Sequence, residues 1–182
     1  MTGRARLVVV TAMIGAVVAV SSVGSAALAD DTDSSRNFIR VELTSLQEDP
    51  LALSTTGSGE VRLFINERTQ EITYRLSYEG IESNVLQAHI HIGNRSQSGG
   101  VSVFLCSNLG NGPVGTPACP SPAGEVTGTL TAASVIGPTG QGIPAGAFDE
   151  LVRAIRAGAT YANVHSMTFQ GGEIRGQLDH HH

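Results

Sequence analysis

Glu60-Val61-Arg62-Leu63-Phe64-Ile65, then Asn66-Glu67-Arg68-Thr69-Gln70, then Glu71-Ile72-Thr73-Tyr74-Arg75-Leu76-Ser77-Tyr78 is the stretch on which the fold turns. Val61, Leu63 and Ile65 alternate with Arg62 and Phe64. A period of two is the period at which side chains leave the two faces of a strand. Two such runs joined by the five residues Asn66 to Gln70 predict an antiparallel hairpin.

The same signature recurs on both sides of this hairpin. Before it, Val41 and Leu43 alternate with Arg40, Glu42 and Thr44. After it come Val85 to Ile92, Val101 to Cys106, Glu125 to Thr131, Thr160 to His165 and Glu173 to Leu178, the last two separated by Gln170-Gly171-Gly172. One segment alone has helical spacing: Phe148, Leu151, Val152 and Ile155 recur at i, i+3, i+4 and i+7, with Asp149 and Glu150 in the first turn and Gly158 past the end. About eight short strands with Gly/Pro punctuation and a single short crossing helix predict an all-β fold, an antiparallel β-sandwich.

The chain has 182 residues with 11 basic and 16 acidic side chains, a net charge of -5, and every base is an arginine. An acidic chain with scattered arginines lacks the cationic surface that nucleic acid or an acidic membrane requires. At the N-terminus Arg4 and Arg6 precede the uncharged run Leu7 to Val20 and the small residues ending in Ala27-Leu28-Ala29. That is the pattern of a secretory signal, so residues 1–29 are expected to be removed, leaving an exported chain with no membrane span. Residues 30–36 form a short acidic lead-in, residues 37–178 the domain, and residues 179–182 a His-rich tail. In an oxidising compartment Cys106 and Cys119 are expected to pair and to staple the Gly/Pro-rich loop between them.

Outside the triplet His180 to His182 there are three histidines, His89, His91 and His165, each in an expected strand. In Ala88-His89-Ile90-His91-Ile92 both imidazoles leave the same face while Ala88, Ile90 and Ile92 take the other. Neutral imidazole suits copper or zinc, and His165 would complete a three-ligand set with an open position. The alternative is that these rings only hydrogen-bond within the domain. Glu173 and Arg175 share a face of the last strand; they are read either as an ion pair on a solvated face or with Glu173 as an acceptor that orients a histidine ring. Glu48 carries the same two readings.

Four ordered motifs resemble the chordin-type (CHRD) domain family: Ala88-His89-Ile90-His91 with the Gly-containing loop behind it, Gly128-Thr129-Leu130-Thr131, Ala157-Gly158 with Tyr161-Ala162-Asn163-Val164-His165, and Gly172-Glu173-Ile174-Arg175-Gly176-Gln177-Leu178. The resemblance implies an all-β, secreted or cell-surface binding domain, with an extracellular protein or a small ligand as its partner. Locally, His89-Ile90-His91 is also similar to the His-x-His copper ligands of copper/zinc superoxide dismutase, which makes a copper-dependent oxidoreductase the alternative function. The zinc ligands of that family have no counterpart between Gly93 and Gly124. Neither a Gly-x-Ser-x-Gly elbow nor a phosphate-binding Gly-x-x-x-x-Gly-Lys occurs. A binding role is therefore expected ahead of catalysis.

Overall fold

A computed structural model of the chain describes residues 2–3 and 37–179. The expected signal segment, the acidic lead-in and the tail triplet His180 to His182 lie outside these residues. The described chain folds into eight antiparallel strands: β1 (Phe38–Thr44), β2 (Ser58–Asn66), β3 (Glu71–Glu79), β4 (Val85–Ile92), β5 (Val101–Ser107), β6 (Gly124–Leu130), β7 (Thr160–Ser166) and β8 (Ile174–Gln177). One helix, α1 (Phe148–Arg156), lies between β6 and β7. No helix among the described residues is long and apolar enough to cross a membrane.

The hairpin forms as its alternation requires, with Val61 opposite Leu76, Leu63 opposite Tyr74 and Ile65 opposite Ile72, all buried. On the outer face Arg40 and Arg62 stand opposite each other, and the Glu60 carboxylate accepts from both. The expected sandwich differs from the structure in one respect. All eight strands belong to a single sheet in the order β5-β4-β7-β8-β1-β2-β3-β6. The halves β5-β4-β7-β8 and β1-β2-β3-β6 are stitched together by the pair Thr44 and Arg175. Gly176 permits this approach, because a Cβ there would meet the Glu42 carbonyl at 2.5 Å and Val41 Cγ1 at 2.7 Å. The sheet therefore curls into a nearly closed barrel, in which Tyr74 on β3 donates to the Leu105 carbonyl on β5 at 2.5 Å.

The interior is filled by the inward positions of every strand, including Leu43, Leu63, Ile72, Leu76, Ile90, Leu105 and Ile174. Helix α1 adds Phe148, Leu151, Val152 and Ile155, the four residues of the helical spacing, and Asp149 and Arg156 on its outer side reach Gln70 and Glu67 in the β2–β3 turn. Cys106 and Cys119 form a disulfide across the loop that follows β5.

Candidate metal centre

On β4 the alternation sends Ala88 and Ile90 into the core and His89 and His91 to the opposite face. That face is covered. His89 is 2% exposed and His91 7%: the β4–β5 connection, residues 93–100, reaches His91 through the Gly99 carbonyl, and the His89 ring packs against Phe104, His91 and His165. β7 runs antiparallel beside β4, so Tyr161, Asn163 and His165 stand on the same covered face, with Asn163 opposite His89 and Tyr161 opposite His91. β8 adds Arg175 and Gln177 alongside.

The three in-domain histidines meet here. One ligand-capable nitrogen from each of His89, His91 and His165 lies within 4.8 Å of the other two. His91 Nδ1–H donates to the Gly99 carbonyl and His165 Nδ1–H to the Gln170 carbonyl, both at 2.9 Å. These bonds leave Nε2 of each ring with a free lone pair. His165 Nε2 is 3.1 Å from His89 Nδ1, so in the metal-free protein His89 donates to His165. The Nε2 atoms of His89 and His91 are buried without a hydrogen-bond partner.

Aromatic rings wall the centre. Phe104 from β5 stands edge-on to His89 with centroids 4.4 Å apart, and Tyr161 stacks on His91 at 4.9 Å. The Arg175 guanidinium carbon lies 3.5 Å from the Tyr161 centroid, and its Nη2 donates to the Asn94 and Gln97 carbonyls. Burial, reinforced by the neighbouring histidines, lowers His89 from 6.5 to about 2. Burial likewise takes His91 to about 4, with the charges of His165 and Arg175 contributing, and lowers His165. All three rings are accordingly neutral at pH 7, the form in which imidazole binds a metal.

The face on which Glu173 and Arg175 lie corrects one expectation. It is not solvated: Glu173 is 0% and Arg175 2% exposed. They do not pair with each other. Glu173 Oε1 accepts from the Glu82 amide at 2.9 Å, and Arg175 donates to the covering loop. Nor does Glu173 orient a ring, since the acceptors for His91 and His165 are backbone carbonyls. The error has a physical source: strand periodicity assigns a residue to a face, and only the fold decides whether a loop covers that face.

Glu48, from the turn after β1, also packs onto this face. Gly172 makes room for it, at φ 134°, where a Cβ would meet the two Glu48 carboxylate oxygens at 2.6 and 2.7 Å and Asn163 Nδ2 at 2.8 Å. Burial raises Glu48 from 4.5 to about 7 against the opposing charge of Arg175. Phe104, Tyr161, Asn163 and Gln177 were not singled out by sequence reasoning. The signal was present for two of them, because period two places Tyr161 and Asn163 on the face of His165. Phe104 and Gln177 join only through strand pairing.

A family model described as the CHRD domain matches residues 39–178. No curated protein and no solved structure matches the chain.

Proposed function

The chain belongs to the CHRD domain family, and from that premise we propose that it is an exported binding module whose centre holds one copper or zinc ion through His89, His91 and His165. The observation that carries this reading is the convergence of three buried, neutral imidazoles, two of them fixed in tautomer by backbone carbonyls. The donor set fits the ion. Two nitrogens bound tetrahedrally at roughly 2.0 Å would stand roughly 3.3 Å apart, close to the 3.1 Å between His89 Nδ1 and His165 Nε2, and an ion there would replace the proton that His89 Nδ1 shares with His165 in the metal-free protein. His91 supplies the third nitrogen, within 4.8 Å of the other two. Buried nitrogen lone pairs without a donor are the groups a cation satisfies. The disulfide and the signal pattern support an oxidising, extracellular or envelope location, where the partner is an extracellular protein or a small ligand.

Copper and zinc titration of the exported chain carrying His180→Ala, His181→Ala and His182→Ala tests this reading. One equivalent is expected, with the stoichiometry lost in His89→Ala, His91→Ala and His165→Ala variants whose far-ultraviolet circular dichroism is unchanged. Undiminished binding in all three would falsify the site. Absence of bound metal under every loading condition would favour rings that serve only the hydrogen bond of His89 to His165.

A second reading is a superoxide-dismutase-like oxidoreductase on the same ligands. It is favoured by one feature, that three protein ligands leave a coordination position open. Activity of the copper-loaded chain no greater than that of free copper rejects it.

A further inference from the structure

The outer face of β1 and β2 repeats one order of side chains. Along β1 the outward residues are Phe38, Arg40, Glu42 and Thr44; read backwards along β2 they are Phe64, Arg62, Glu60 and Ser58, each directly opposite its counterpart. Phe38 and Phe64 are each 46% exposed, two aromatic rings side by side in solvent. At the other end of the same strands is a groove of about 550 Å³, lined by the carboxylates of Glu42, Glu60 and Glu79 and by the small side chains of Thr44, Ser58 and Ser77. We propose that this face is an interface between two copies of the chain, related by a two-fold axis. It lies on the half of the sheet away from the histidines, so the inference stands independently of the metal centre.

One axis satisfies both ends of the face. Two identical sheets packed face to face need a two-fold in the plane between them, and one that crosses the strands at the paired Val41 and Val61 reverses the order of the rows. Position 38 then faces 44, and 64 faces 58, so the rings of each copy lie over the small residues at the other's groove. Position 40 faces 42, and 62 faces 60, so each arginine row lies over a glutamate row. Neighbouring registers are rejected by charge: an axis through the arginine row sets Arg40 on Arg40, and one through the glutamate row sets Glu42 on Glu42. Alternate outward residues are about 6.8 Å apart along a strand, too far for the rows to be confused.

The groups are also left free to meet. Arg40 and Arg62 each reach Glu60 through Nε, one of the five donors of a guanidinium. Among the described residues no hydrogen bond or ion pair engages the Glu42 carboxylate. Aromatic edges carry partial positive charge, which suits rings entering a groove lined by carboxylates. The chain's own lead-in, Asp30-Asp31-Thr32-Asp33-Ser34-Ser35-Arg36, has no apolar residue with which to cover them.

The test is sedimentation equilibrium of the exported chain carrying the three tail-histidine substitutions, in chelator so that no ion bridges the copies. A strip of two strands is small for an interface, so a weak, concentration-dependent monomer–dimer equilibrium is expected. Phe64→Ser, on the exposed face where the fold is not at stake, should weaken it about tenfold or more. Arg40→Glu sets like charges against the partner's Glu42, and Glu42→Arg against the partner's Arg40; each alone should weaken association to a similar degree. An equimolar mixture of these two variants should restore it, because each reversed charge then meets its complement on the other chain, whereas a role within one chain is not rescued by mixing. A monomer at every concentration overturns the proposal. So does a dimer that Phe64→Ser leaves unchanged, or a mixture that associates no better than its components.

Discussion

Covering the β4–β7 face pushes His89 down to about 2 and His91 to about 4, and pushes Glu48 up to about 7; these shifts act on stability in opposite directions. Below pH 6.5 the unfolded chain takes up histidine protons that the metal-free native state refuses. Stability therefore falls as pH drops from 6.5 toward 4, by about 1.4 kcal/mol per pH unit for each such group. Glu48 acts in reverse. Between pH 4.5 and 7 the native state holds a proton that the unfolded chain releases, so this contribution falls as pH rises and levels off above 7. Glu48→Gln removes the opposing slope, and urea denaturation of the metal-free variant from pH 4.5 to 6.5 should show a steeper loss of stability toward acid than the parent. Equal slopes would mean that Glu48 ionises normally.

Among the elements, β5 and β6 are the two ends of the sheet order, and the barrel is bridged between β3 and β5 by the Tyr74 hydroxyl. Gly128 on β6 allows the Tyr74 ring to lie against it, since a Cβ there would sit 2.6 Å from the ring carbon Cε1. Tyr74→Phe keeps the ring and deletes the bond to the Leu105 carbonyl. The expected cost is about 1–3 kcal/mol, the upper part applying if that carbonyl is left dry. Amide exchange should accelerate along β5 more than in the β2–β3 hairpin; uniform acceleration would show that the bridge does not hold the seam locally. The elements were also where sequence was most legible. Strand limits followed the alternation to within a residue or two, and α1 followed its apolar spacing, because burial of one face is what both periodicities record.

At the scale of the whole molecule, the disulfide constrains a loop that joins β5 to β6 and carries little apolar surface of its own. Cys106→Ala with Cys119→Ala should lower unfolding free energy by about 3 kcal/mol through added freedom of the unfolded chain, with the core cluster and the circular dichroism spectrum retained. A change below about 1 kcal/mol would mean that the loop is held chiefly by its hydrogen bonds, such as the Asn108 amide to the Val85 and Cys119 carbonyls. By itself the sequence determined the class of fold, the strands, the helix, the cysteine pair and the fact that His89 and His91 share a face. Each of these follows from local periodicity or from composition. Tertiary structure alone decided that the sheet curls into one nearly closed barrel, that His165 arrives beside His89, and that Glu48, Glu173 and Arg175 are buried under loops. Those outcomes depend on which distant strands pair and on what covers the second face of the sheet, and neither leaves a periodic trace in the chain.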